Sequence, residues 1–371
     1  MQSIMDAIDE KINQKLENLP KLSWDVGTAY DLFISLNALH NPEEYSLPAS
    51  WAAGVRSRLP VAERKVVEDM TPLFWVPMCW IYTLPSPKDA ASVLWALRQI
   101  PPRDRLSTFI RCHEEEEKEE FISIIKRVDE RQAWDEKDLE ALKAATRKWD
   151  LPDRLKKLPK MLDWVSRPAE FGDLILSALQ SYHQSFFAEE EKRISPALQE
   201  GLEKAQALSE NLPLHDLIVE LSQGVHFEEP IKVKELILAP AYWATPLILY
   251  GKIDKDRMIL LYGARPADAS LVPGEQVPDA LLRALKALAD PTRLRILRFL
   301  TNEAMTQAEL SRALRLRPPT VIHHLKELRL AGLVYLTLES EDKKRYAARL
   351  GSIPDTFSIL KEFLPEDKKH C

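Results

Sequence analysis

Within the segment from Arg317 to Arg329, polar and charged residues alternate with the apolar set Val321, Leu325 and Leu328. On a helix that apolar set faces inward and leaves Thr320, His323, Lys326 and Arg329 largely outward. These side chains suit recognition rather than covalent chemistry. Arg317, Thr320 and His323 can hydrogen-bond to base edges, with Pro318 beside them at the helix start, and Lys326 and Arg329 can reach phosphates. Two further groups have the same character. Thr306 and Gln307 open a helix whose backbone amides can hold a phosphate. Lys343, Lys344 and Arg345 form a basic cluster that can lie on a nucleic-acid backbone or in a minor groove. Close by, Glu339, Glu341 and Asp342 would repel phosphate, so a merely solvated tip is the alternative there.

The elements that must position these groups follow from local signals. Residues 280–289 are helical, with Leu281, Leu285 and Leu288 on one face. Asp290 and Pro291 read as an N-cap and a first-turn proline for a helix over 292–300. Thr306 and Glu309 form a capping box for a short helix carrying Leu310, Ala313 and Leu314. A tight connection, Arg315-Leu316-Arg317, leads to Pro318-Pro319 and a longer helix over 318–330. Two short helices, a turn and a longer helix with a polar outer face constitute a helix-turn-helix. After Gly332 the period becomes strand-like over 333–338 and 345–350, joined by the polar tip 339–344, which reads as a wing. A last helix, 354–364, is apolar at Phe357, Leu360 and Phe363-Leu364.

The string Leu285-Lys286-Ala287-Leu288-Ala289-Asp290-Pro291-Thr292-Arg293-Leu294-Arg295-Ile296-Leu297 resembles the opening of ArsR-type winged-helix regulators. So do Pro319 to Leu328 and Ala331-Gly332-Leu333-Val334. The resemblance covers residues 280–350. It implies a homodimer that sets one recognition helix per subunit into successive major grooves of double-stranded DNA, reading a palindromic site. His324 stands at the family's histidine position, as a DNA contact or as a packing residue. Arg317 and Ile322 stand where relatives commonly have serine, and Ile322 can only touch a thymine methyl or pack. Many relatives sense metals, but 307–314 holds no cysteine and the last helix no paired histidines, so neither metal nor cofactor is expected. His370-Cys371 reads as a frayed terminus. Residues 28–275 more faintly resemble the N-terminal extension of larger regulators, in stretches such as Phe187 to Pro196 and Leu236 to Pro240, and no function comes with that likeness.

The rest of the chain is consistent with a mainly α protein. It has 371 residues, 45% hydrophobic and 29% charged, with only 10 glycines. Scarce glycine favours long helices with compact connections. The net charge of −6 is uneven: residues 276–371 hold 17 basic and 12 acidic residues, and the remainder 34 and 45. That asymmetry places a polyanionic partner at the C-terminal end. Cys79, Cys112 and Cys371 make no disulfide framework, which fits a reducing, cytoplasmic setting. The N-terminus, with Asp6, Asp9 and Glu10, lacks the apolar core of a signal peptide. The apolar run from Leu73 to Leu84 is broken by Pro77 and too short to span a bilayer.

Ile4, Ile8, Ile12 and Leu16 mark an amphipathic first helix, and the helical pattern continues from 22 to 225. Eight of nine tryptophans lie there, as core filling or as pocket lining. The acidic run His113 to Glu120 reads as a solvated helix face, as do His183 and Glu189-Glu190-Glu191. Runs at 236–239, 246–250 and 258–262 predict a small antiparallel β element, with Asp254-Lys255-Asp256 as a hairpin turn. Residues 266–278 read as a linker. The expected organisation is a helical effector or dimerisation region over 1–230, the β element and linker over 231–275, and the winged helix over 276–371. There is no P-loop, GxGxxG after a strand, HExxH or GxSxG, so an enzyme is not expected. A winged helix that pairs with protein instead of DNA is the second reading, and an effector bound by the N-terminal region remains open.

Overall fold

The computed structural model describes residues 20–45, 47–71, 76–110, 119–146, 152–227, 231–339 and 343–364. The expected first helix, most of the acidic run, Trp75, Trp149, Cys112, the wing-tip Glu341 and Asp342, and His370-Cys371 lie outside these residues.

Strand β1 (Lys21–Trp24) leads into α1 (Ala29–His40), a short 3-10 turn, α2 (Ala49–Ser57), α3 (Val61–Met70), α4 (Met78–Thr83), α5 (Ala90–Gln99), α6 (Pro102–Ile110), α7 (Glu119–Arg131), α8 (Glu136–Thr146), α9 (Pro152–Ser166) and α10 (Pro168–Tyr182). A π-helical turn, His183–Phe187, joins α10 to α11 (Ala188–Ser209), which is followed by α12 (Leu214–Leu221). Then come β2 (Val225–Phe227), β3 (Glu235–Ala241), β4 (Leu249–Lys252) and β5 (Arg257–Gly263). The C-terminal part holds α13 (Asp279–Leu288), α14 (Pro291–Leu300), β6 (Met305–Thr306), α15 (Gln307–Leu314), α16 (Pro318–Leu330), β7 (Val334–Leu338), β8 (Lys344–Ala348) and α17 (Ser352–Phe363). The mainly α architecture expected from the sequence is what the chain adopts.

Helix α10 is central because Phe171, Ile175, Ala178, Leu179 and Tyr182 recur at helical spacing and are all buried. It runs close to α6. A Cβ on Gly172 would lie 1.9 Å from the carbonyl oxygen of Pro102. Buried Arg105 ties the same contact by donating to the carbonyl of Gly172 at 3.0 Å and to Asp173 Oδ1 at 2.9 Å. Of the described tryptophans, Trp164 and Trp243 are buried, whereas Trp95 is 58% exposed.

The β element differs from the expected one. The β4–β5 hairpin is antiparallel, but β3 pairs in parallel with both β5 and β1, giving the order β1-β3-β5-β4. Both faces of β3 and β5 are covered, which is why these strands read as continuous apolar runs. Ile237, Ala239, Ile259 and Leu261 join the main helical core. Leu236, Leu238, Leu260 and Tyr262 pack with Ala205, Leu217 and Ile218 of α11 and α12. Residues 266–278 are held at Ser270 and Leu271. Ser270 Oγ and the amide of Leu271 donate to the Asp279 carboxylate at 2.9 and 2.8 Å, and Leu271 is buried.

A separate core, including Ile296, Leu310, Leu314, Val321, Leu325, Leu328 and Tyr346, organises the C-terminal part. Its sheet has the order β2-β7-β8-β6. Strand β2 comes from the helical body and pairs in parallel with β7, Val225 opposite Leu336. Gly224 makes this approach at φ +105°, where a Cβ would meet the Tyr335 ring at 2.8 Å.

Candidate nucleic-acid interface

The first helix of the pair, α15, begins with a complete capping box. Thr306 Oγ1 accepts from the amide of Glu309 at 3.3 Å, and Glu309 Oε2 accepts from the amide of Thr306 at 2.7 Å. The Thr306 amide holds the Glu309 carboxyl below the usual range. A phosphate here would therefore have to use the amides of Gln307 and Ala308, beside a fixed carboxylate.

The turn that follows is made by Arg315 in the left-handed region, φ 56°. The amide of Leu316 returns to the carbonyl of Ser311 at 3.0 Å. Such a cap normally falls to glycine, since a side chain there costs about 1 kcal/mol. Prolines at the first two positions of α16 then start the second helix.

Val321, Leu325 and Leu328 point into the core, so the opposite face of α16 is fixed. Arg317, Pro318, Thr320, Ile322, His323 and Lys326 are all exposed on it. Ile322 is 45% exposed, so it is not a packing residue. The structure adds Arg312 and Arg315, exposed on the preceding helix and turn, which the sequence reading left aside. Their signal was the run of arginines at 312, 315 and 317.

Arg329 corrects the outward placement expected for it. It is only 7% exposed, and its Nη2 donates to the carbonyl of Ser222 at 2.8 Å. Burial pushes its guanidinium down to about 10. It lies one position from Leu328, on the edge of α16 that meets the body, and cannot reach a phosphate from there.

His324 is half-buried, with Nδ1 4.0 Å from Asp290 Oδ1. Partial burial, with His323 and Arg293 nearby, pushes this imidazole down against the pull of Asp290. Asp290 itself caps α14, accepting from the amide of Arg293 at 2.8 Å. Arg293 donates to the carbonyl of Lys286 at 3.1 Å and pairs with Glu327 on α16 at 3.6 Å. The Asp-Pro-Thr-Arg string thus fixes the recognition helix against α13 and α14.

The wing divides its basic residues. Lys343 and Lys344 are exposed. Arg345 is engaged internally: Nε pairs with Glu339 at 2.7 Å, and Nη1 donates to the carbonyl of Ala304 at 2.9 Å and pairs with Glu309 at 3.4 Å. Gln307 Nε2 reaches the hydroxyl of buried Tyr346 at 3.5 Å. Arg345 and Gln307 thus tie the wing to α15. Among the described residues no group of His, Cys, Asp and Glu could hold a metal, and no helix is long and apolar enough to cross a membrane.

A capped helix, a left-handed turn, a second helix with a polar outer face and a β wing define a winged helix-turn-helix. Residues 290–335 match the family model described as bacterial regulatory protein, arsR family. The C-terminal part of the chain is an ArsR-type helix-turn-helix of the kind found in DNA-binding regulators. Among solved structures, NolR from Sinorhizobium fredii is 27% identical over 23% of this chain and 83% of its own, with a TM-score of 0.20. No curated protein matches the chain.

Proposed function

We propose that this protein is a sequence-selective, homodimeric transcription regulator, acting as a repressor under control of its N-terminal part. The observation that carries the reading is the exposed face of α16. Arg317, Thr320, His323 and Lys326 stand together on a helix whose opposite side is locked into the core. Arg317, Thr320 and His323 then read base edges, with Ile322 against a thymine methyl and His324 at the edge of the contact. Lys326, Arg312, Arg315, Lys343 and Lys344 neutralise phosphates. Thr306, Gln307, Pro318 and Arg345 shape and brace the surface.

A second copy is suggested by α17. Its Phe357 and Phe363, and Leu364 just after it, are 48%, 37% and 62% exposed, and α13, packed beside it, exposes Leu282 at 39%. Exposed apolar side chains on two neighbouring helices suit a partner surface, and twofold pairing matches a palindromic duplex site. Nothing favours a protein partner for α16 itself, whose outer face is cationic.

The test is fluorescence anisotropy on a duplex from the protein's own promoter and on a random duplex of equal length, over a salt series. The expected result is preference for the promoter and affinity that falls steeply with salt. Equal affinity for both duplexes at moderate salt would overturn the reading.

A further inference from the structure

The helical body and the winged helix meet across a cleft of about 550 Å³. One wall is α11 with the end of β5, and the other is α13, the end of α16 and the residue after β8. That volume suits an organic molecule rather than a bare ion. Leu208, Leu221, Pro246, Tyr262 and Leu330 give the cleft an apolar share.

Its charge is unusual at depth. Arg265 and Arg283 both line the cleft, and they are only 8% and 9% exposed. Asp279 is the carboxylate in ion-pair contact with Arg265, its Oδ2 lying 3.3 Å from Arg265 Nη1, and it acts on Arg283 from one helical turn away, with a smaller influence from Glu327, which pairs with Arg293. That carboxylate is already engaged by Ser270 and Leu271. Arg265 Nη2 donates to the carbonyl of Thr245 at 3.2 Å, and Arg283 Nη2 to that of Tyr45. Arg265 Nη1 and Arg283 Nε make no hydrogen bond. Burial, with Arg283 adding to it, pushes the Arg265 guanidinium down to about 10. Two buried cations have only Asp279 in ion-pair contact, and Glu327 is paired with Arg293, so the positive charge here is under-compensated, which is costly without a further counter-charge. At the rim, exposed Lys204 and half-buried Arg349 face Glu200, Glu220 and Asp355. Those rim charges are mixed in sign and screened by water, whereas the buried pair is not.

We propose that this cleft binds a small organic anion, a carboxylate or phosphate ester with an apolar body, held by Arg283 and Arg265. Because the two walls belong to the body and to the winged helix, occupancy sets their relative angle. Leu330 and Ala331, at the end of the recognition helix, line the cleft directly. The regulatory part of this proposal rests on the DNA-binding reading; the anion site does not.

The test uses the full chain with benzoate and phenyl phosphate as probes, against sodium chloride at equal ionic strength. Thermal unfolding and titration calorimetry read binding without DNA. The expected result is a saturable rise in Tm with at least one probe, the tighter one identifying the head group. Arg283→Met should weaken binding at least tenfold. Ala267→Trp, at an exposed cleft position that leaves both arginines in place, should do the same by occlusion and serves if the first variant fails to fold. No rise beyond chloride, or a rise equal in Ala267→Trp and the parent, overturns the site. Promoter affinity should shift at least fivefold with the probe in the parent and not in Ala267→Trp. Binding without that shift overturns the coupling, and absence of promoter preference without any probe falls on the DNA reading alone.

Discussion

Arg329, on the recognition helix, donates through Nη2 to the carbonyl of Ser222, which ends α12 of the helical body, at 2.8 Å. The guanidinium thus sits at the negative end of a body helix, where a cation is favoured. Together with the β2–β7 pairing, this bond ties the end of the recognition helix to the body.

Arg329→Met keeps the packing of the stem and removes the charge-assisted bond. It should lower stability by about 2 kcal/mol, the usual scale for hydrogen bonds to charged groups. Urea unfolding should show this loss, while the salt slope of DNA binding stays that of the parent. A reduced slope would mean that Arg329 reaches phosphate after all.

Lys326→Ala is the converse case. Lys326 is exposed, so stability should change by less than about 0.5 kcal/mol. Affinity should fall on every duplex sequence, with the salt slope reduced by about 1. Arg317→Ala should instead cost about 1–3 kcal/mol on the promoter and relax preference at one base pair. Anisotropy on single-base variants of the site separates the two.

Arg315 pays for its left-handed turn. Arg315→Gly should stabilise the fold by about 0.5–1 kcal/mol, because glycine adopts φ 56° without strain. The same change should weaken DNA binding, since it removes an exposed cation beside Arg317. Thermal unfolding and anisotropy on one preparation test both signs.

His40 should make stability depend on pH. It is half-buried, its Nδ1 lies 2.8 Å from the carbonyl of Leu36, and desolvation of the ring pushes its pKa down to about 4. The unfolded chain binds this proton near pH 6.5, so the folded state is penalised as pH falls below that value. Between pH 8 and pH 5 the loss from this residue is on the order of 2 kcal/mol. His40→Met should flatten that part of the profile in urea titrations at the two pH values, and an unchanged profile would refute the assignment.

Gly172→Ala is expected to be among the most damaging small substitutions in the body. The added carbon would fall 1.9 Å from the Pro102 carbonyl oxygen, so α10 and α6 must separate. Forced overpacking of this kind costs about 1–3 kcal/mol, and thermal unfolding should show it.

The helix-turn-helix was legible because its signals are local. A threonine and a glutamate three apart, a proline at a helix start and the inward triplet Val321, Leu325 and Leu328 each act within a few residues, so sequence alone fixed the exposed face of α16. Arg329 was misplaced because its environment comes from residue 222, more than one hundred positions away. The parallel partners of β3 and β7 escaped for the same reason: β1 and β2 have only four and three residues and no period of their own. The division of the wing into free Lys343 and Lys344 and braced Arg345 needed the positions of Glu309 and Glu339. The cleft with its two buried arginines exists only where body and winged helix meet. Local hydrogen-bonding and periodicity determined what could read DNA, while long-range burial decided which of those side chains are free to do it.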